Sequence, residues 1–477
     1  MTSEVCRPYI HFTPKKGWMN DPNGLVYFDG EYHLFFQYSP NDLTGGPIHW
    51  GHAVSEDLLH WEELNIALEP DSRGLCFSGS AIVDHANITS FFDDEPGLLS
   101  FYTAHRESPD FDQGYIEEQC LAYSRDRGRS WIKYENNPIV SSPGFSDFRD
   151  PKVIWHQDTS SWIMALASGQ EIHFYRSANL IDWTFCSAFG EKEGIHTDHP
   201  WECPDLFQLN ISGSQDSRWI LVVGIGACEK PFGSFTQYFV GNFNGYEFIN
   251  ENASDQGLLL DQGRDLYAVQ SWSDSPDGKR LILGWLNNWK YAKEVPASSY
   301  RGMMSVPRFL NLVSTPSGLR ISQSFCVEIP GDAGDFDDCQ MKTIPDTASV
   351  KGARRGRLLF DIDSDSLVDL TFFGTQSPDL RLSCKGERIS VQILRSTHSG
   401  EASFLKEFEH DYQVEFICAG EISMEWVTDR NSLEVLFDNG RVSISQLMIT
   451  DNPGQYLEVQ PVSGSIKVLQ HQEYLIS

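Results

Sequence analysis

The sequence has no CxxC pair, no long apolar run and little helical periodicity. Without paired cysteines or a spaced histidine set, a structural zinc site is not expected, and His49, His52 and His196 read as structural or surface residues. The ten cysteines are dispersed over 477 residues, which suits buried thiols in a reducing compartment better than a disulfide framework. The longest apolar stretch, Trp219 to Ala227, is too short to span a bilayer. The N-terminal MTSEVCRPYIHFTPKK has no apolar signal core, so a cytoplasmic location is expected, with secretion the alternative if a leader has been removed. Positive charge is also scarce: 36 Lys and Arg face 67 Asp and Glu, for a net charge of −31. Such a surface repels polyanions, which excludes nucleic acid and anionic membranes as natural partners. No metal and no cofactor is expected.

What is present is β-structure. Short runs rich in Val, Ile, Phe, Tyr and Trp are broken by Gly, Asp, Asn and Pro, and LVYFDGEYHLFFQY (Leu25 to Tyr38) reads as a hairpin turning at Asp29-Gly30. A polar motif followed by two apolar strands recurs near Asp21, Ser78, Asp150, Glu202 and Asp265. A second signal is interleaved with it: SEDLLHW, SRDRGRSW and SANLIDW each end on Trp, at positions 61, 131 and 183. Five copies about 50 to 70 residues apart predict an all-β fold, a five-bladed β-propeller. Polar residues that open the inner strands would then converge at one end of the axis. Beyond Ile329 the Gly/Asp-rich PGDAGDFDDCQ reads as a linker, and alternating strands follow. The expected organisation is a propeller over 1–328, a linker over 329–347 and a C-terminal β-sandwich over 348–477.

Three acidic motifs open predicted inner strands: WMNDPNG with Asp21, FRDP with Asp150 and WECPDLF with Glu202. Retaining cleavage of a glycosidic bond needs two carboxyl groups about 5–5.5 Å apart, one ionised to attack and one protonated to release the leaving oxygen. Asp21 and Glu202 suit these two roles. Glu202 sits between Trp201 and Cys203, a less polar setting that, with anionic Asp21 nearby, is expected to raise its pKa. Arg149 directly precedes Asp150 and is expected to keep that region ionised.

Together, in this order and spacing, the three motifs resemble the signature blocks of the glycoside hydrolases of family 32, which contains invertases, fructan exohydrolases and inulinases. FFQYSP, HWGHAVSEDLLHW, FSGSA, GRDLYA, GWLNNWKYA and VPASSYRGMMSVPR extend the resemblance to Arg308. The resemblance implies a five-bladed propeller plus a β-sandwich, with Asp21 as nucleophile, Glu202 as acid/base and Asp150 as transition-state stabiliser. It also implies a fructose subsite of Asn20, Gln37, Trp50, Phe77, Ser78, Arg149 and Trp289. The residues alone do not separate the role of Asp150 from that of Asp21. One departure stands out: many family members carry a Trp a few residues before the WGHA block, and here that place is Gly45. The expected activity is release of β-fructofuranosyl units from sucrose and short fructans by a monomer or homo-oligomer. A transfructosylase on the same site, a sugar-binding propeller without activity and an arabinosidase are the competing readings.

Overall fold

In the computed structural model, residues 7–327 and 352–476 are described, apart from 94, 112, 145, 230–232, 254–256, 375–376, 396, 398–399, 411 and 451–456. The expected linker at 329–347, with Cys339, and the N-terminal Cys6 lie outside the described residues. Five sheets of four or five strands come first, antiparallel except where Tyr300–Arg301 joins the first in parallel, and their inner strands are Gly17–Phe28, Leu75–Asp84, Phe148–His156, Trp201–Asn210 and Tyr267–Ser271. Each inner strand touches the next and the fifth touches the first, which closes the ring of a five-bladed propeller. Blade 5 is tied to blade 1 through the backbone: Ser273 N–H donates to Leu25 O (2.9 Å), Tyr27 N–H to Ser273 O (3.0 Å) and Gly17 N–H to Ser299 O (2.8 Å). The Asp29-Gly30 hairpin turn has positive φ at both residues (+49° and +91°), the geometry that matches strand twist.

The interleaved Ser…Trp signal is a turn with a physical reason. In the first copy Ser55 Oγ accepts from Leu58 N–H (2.8 Å) and Trp61 Nε1–H donates to Leu58 O (3.1 Å). In the others Ser124 Oγ accepts from Gly128 N–H and Trp131 donates to Gly128 O, while Ser177 Oγ accepts from Leu180 N–H and Trp183 donates to Leu180 O. The residue that turns the chain has φ of +67° at Leu58, +80° at Gly128 and +66° at Leu180. These corners follow the third strand of blades 1 to 3, at the far end of the axis from where the inner strands begin.

Two five-stranded sheets form the C-terminal β-sandwich. One runs in the order Val442–Leu447, Ser432–Phe437, Ile422–Asp429, Ala353–Ile362, Ile466–Ile476; the other in the order Tyr412–Ile417, Arg388–Ile393, Leu380–Lys385, Leu367–Thr371, Glu458–Ser463. Inward residues such as Phe360, Leu370, Leu382, Val391, Trp426 and Val435 fill the core between them. Among the described residues no helix is long and apolar enough to cross a membrane.

The sandwich joins the propeller through buried charge. Arg308 donates to Asp261 Oδ2 (3.2 Å), Ser443 Oγ (2.7 Å) and Ser445 Oγ (2.6 Å), and pairs with Glu434. His11 lies between Asp429 Oδ2 (2.9 Å) and Glu434 Oε1 (2.7 Å). Burial pushes the His11 pKa down, but hydrogen bonds and charge from Asp429 and Glu434 outweigh it and raise it to about 9. A second contact sets Arg395 against Asp265 Oδ2 (2.7 Å), with the helix Ala402–Phe408 packed on Tyr291.

Arg308→Met leaves Asp261 without its cation and Glu434 with His11 alone in a buried interface, so a loss of about 3–5 kcal/mol is expected in denaturant or thermal unfolding. For His11 the folded pKa lies above the unfolded value of 6.5, so its stabilisation is full below pH 6.5 and is lost as pH rises through about 9. The unfolding temperature should therefore fall across that window, and His11→Gln should remove most of this slope.

Candidate active site

At the end of the axis where the inner strands begin, every inner strand carries a β-bulge. The register slips between Met19 and Pro22 in blade 1, Phe77 and Gly79 in blade 2, and Ala165 and Ala167, opposite Arg149 and Lys152, in blade 3. It slips again between Glu202 and Asp205 in blade 4 and between Tyr267 and Gln270 in blade 5. Asp150, Cys203 and Ala268 sit in these bulges with φ of +65°, +49° and +50°, a region that non-glycine residues rarely occupy. A bulge rotates the side chains that precede it relative to the strand, and here it aims them at the axis. Below the bulges Lys152 Nζ donates to Asp205 (3.1 Å), Gln270 (3.3 Å) and the Ser271 carbonyl (2.8 Å), and this buried group fills the axis.

The three carboxyl groups meet there. Asp21 Oδ1 accepts from Asn20 Nδ2 (3.0 Å), and its Oδ2 accepts from Ser78 Oγ (2.7 Å). Asp150 Oδ2 accepts from Cys203 N–H (2.8 Å), while Thr103 Oγ1 accepts from Asp150 N–H (3.0 Å). The Cys203 thiol lies 3.5 Å from both Asp21 Oδ2 and Asp150 Oδ2. Glu202, the residue before Cys203, accepts from Arg149 Nη2 (2.9 Å) and from the Tyr267 hydroxyl. Arg149 is held in turn by Asp147 Oδ1 (2.7 Å) and by Glu117 (3.3 Å).

Electrostatics follow from crowding. Burial, and then the charge of Glu202, raises the Asp21 pKa above the ordinary carboxylate value, although Ser78, Asn20 and Cys203 donate to it. Burial raises Asp150 to about 7; Arg149 lowers it, and Glu202 and Asp21 push it up again. Burial and the three carboxylates push the Cys203 thiol well up, so it is a neutral donor rather than a nucleophile. Glu202 does not occupy the less polar setting expected from its neighbours Trp201 and Cys203, because a guanidinium and a phenol contact it directly. The sequence did not point to Tyr267, Glu117, Asp147 or His105. For Tyr267 a signal existed, since it lies in the fifth repeat, GRDLYAV. Asp265, which the repeat pattern would send toward the axis, is instead committed to the domain interface with Arg395.

The other expected residues mostly gather around this centre. Trp18 Nε1–H donates to Asn20 Oδ1 (2.7 Å), and the Trp18 and Trp289 rings stack at 5.9 Å. Phe77 stacks on His105 with centroids 4.2 Å apart. With its amide oriented to satisfy both groups, Asn23 accepts from Gln37 Nε2 (2.8 Å) and donates to Ser78 Oγ (3.2 Å). Trp50 does not line the opening: it is fully buried in the core between blades 1 and 2, where Nε1–H donates to Phe77 O (2.9 Å). Its indole thus ties down the backbone of Phe77. Gly45 adopts φ +89° at the edge of Trp18, where an added Cβ would lie 3.8 Å from the indole nitrogen.

Asp150 takes up its proton at higher pH when folded than when unfolded, so its ionisation costs stability progressively as pH rises from about 4 to about 7. Asp150→Asn keeps the shape without the charge. Above pH 7 it should gain about 1–3 kcal/mol in thermal or denaturant unfolding, while losing activity.

Residues 11–323 match the model of the glycosyl hydrolases family 32 N-terminal domain. A levanase of Bacillus subtilis (strain 168) is 39% identical over 478 residues, covering 98% of this chain and 69% of that protein. An invertase of Schizosaccharomyces pombe is 38% identical over 351 residues, covering 71% of this chain and 58% of its own length. The solved structure of exo-inulinase from Aspergillus awamori superposes with a TM-score of 0.86 at 28% identity, covering 99% of both chains. Bulged inner strands that hold three carboxyl groups, a propeller joined to a sandwich, and the match to the family's N-terminal domain place the chain among the glycosyl hydrolases of family 32, as an enzyme of the β-fructofuranosidase class.

Proposed function

We propose that this enzyme is a retaining β-fructofuranosidase that releases terminal fructosyl units from sucrose and short fructans. The observation that carries the reading is the meeting of Asp21, Asp150 and Glu202, from three blades, around the Cys203 thiol and the Arg149 guanidinium. Relatives named levanase, invertase and exo-inulinase support the choice of sugar.

In the first step Asp21 attacks the anomeric carbon, the bond to the leaving sugar breaks and Glu202 gives its proton to the departing oxygen. In the second, water attacks the same carbon, its proton passes to Glu202 and the ester bond to Asp21 breaks, which restores both groups. Asn20 and Ser78 donate to the Asp21 carboxylate and fix the attacking oxygens. Asp150 accepts hydrogen bonds from the sugar hydroxyls. Positive charge that grows on the ring favours its ionised form, so its stabilisation is largest in the transition state. Gln37, Phe77, Arg149 and Trp289 complete the fructose subsite. No step calls on a metal or cofactor.

Asp21→Asn should lower sucrose hydrolysis by roughly 10⁴-fold or more, measured as fructose release. Glu202→Gln should still react with β-fructofuranosyl fluoride, whose leaving group needs little protonation. Added azide should then yield the β-fructosyl azide; the α-azide, or no azide adduct, would reject the covalent retaining route. Because burial raises Asp21, the acid limb of kcat/KM should lie above the ordinary aspartate range. Chromatography of products from sucrose, kestose, inulin and levan tests the substrate range, and trisaccharides accumulating at high sucrose would mark a transfructosylase instead.

A further inference from the structure

Glu117 is a buried carboxylate that no step above employs, yet it touches two parts of the site at once. It lies on the third strand of blade 2, Tyr115–Ser124, with its side chain 2% exposed. Its Oε2 accepts from Arg149 Nη1 at 3.3 Å and its Oε1 from His105 Nδ1 at 3.1 Å. The other nitrogen of the same guanidinium, Nη2, donates to Glu202 Oε1 at 2.9 Å. The imidazole of His105 lies flat on Phe77, with centroids 4.2 Å apart and an interplanar angle of 9°. A continuous chain of contacts therefore runs from Glu202 through Arg149, Glu117 and His105 to Phe77.

We propose that Glu117 is a positioning residue, which fixes the Arg149 fork against the acid/base carboxyl and aims His105 under the Phe77 wall of the sugar pocket. This inference rests on the acid/base role given to Glu202 above. A guanidinium is planar, so fixing one of its terminal nitrogens restricts where the other points. Asp147 holds Nη1 as well (2.7 Å), but it is partly exposed and also accepts from the Tyr115 hydroxyl (3.2 Å). Glu117 is the deeper of the two anchors. A buried carboxylate is costly to keep, and both of its charged or chargeable neighbours, Arg149 and His105, belong to the wall of the site. Asp150 and Glu202 also face Arg149, and Tyr267 faces Glu202.

A group that acts through the general acid should matter in proportion to how much protonation the leaving group needs. The test compares kcat/KM for sucrose and for β-fructofuranosyl fluoride in the wild type and Glu117→Gln, across pH, with Glu117→Asp as a second variant that keeps the charge but shortens its reach. The expected result is a loss of about 10- to 100-fold on sucrose and less than about 3-fold on the fluoride. Glu117→Asp carries the same leaving-group comparison if Glu117→Gln fails to fold. Equal losses on both substrates, or no loss on sucrose, would overturn the inference. Failure of the acid/base assignment itself would show separately, as a Glu202→Gln variant that keeps full turnover of sucrose.

Discussion

Like charge held together is the condition that governs this molecule. Asp21, Asp150 and Glu202 converge from three blades, and each unscreened carboxylate raises the cost of ionising the next. Arg149 offsets part of that cost. It contacts Glu202 directly, lowers Asp150 through space and is itself held by Asp147 and Glu117. The neutral Cys203 thiol sits 3.5 Å from the two aspartates, where a third anion would be prohibitive. The propeller can sustain this concentration of charge because the ring of inner strands is closed and the axis beneath is filled by the Lys152–Asp205 pair.

Closure alone does not aim the side chains. A regular strand alternates its residues between two faces, so a residue at a strand opening need not point along the axis. The bulges solve this locally, and the left-handed backbone at Asp150 and Cys203 is the strain that accompanies them. The site and the fold thus share one device, repeated in each blade. Among the described residues the sandwich does not reach into this centre; it clamps blade 5 and the N-terminal segment through Arg308, Glu434 and His11.

Much of this was legible in the residues. The repeat near Asp21, Ser78, Asp150 and Glu202 and the Asp29-Gly30 turn led to the strands they mark, because period and turn chemistry are local properties. The three acidic motifs were legible for the same reason. Contacts made across blades were not. Tyr267 and Glu117 reach the centre only through the way sheets pack side by side; the fifth repeat marks the strand of Tyr267, and nothing in the immediate neighbours of Glu117 signals its role. Trp50 misled because a tryptophan in a conspicuous motif looks the same whether it faces a ligand or supports a residue that does; its full burial decides. Asp265 misled because the fifth repeat begins two residues before its strand, which leaves that carboxylate to the second domain.

The Ser…Trp corners carry a consequence for how such a protein can change. They lock the outer rim of blades 1 to 3 at one pole, with hydroxyl, indole and a left-handed residue all committed. The opposite pole carries the connections that surround the sugar, and lengthening a surface loop costs only about 0.6 kcal/mol per doubling. Insertions are thus cheap around the mouth of the pocket and expensive at the locked rim. New appetites for longer or differently linked chains can arise at one pole while the other keeps the architecture in register.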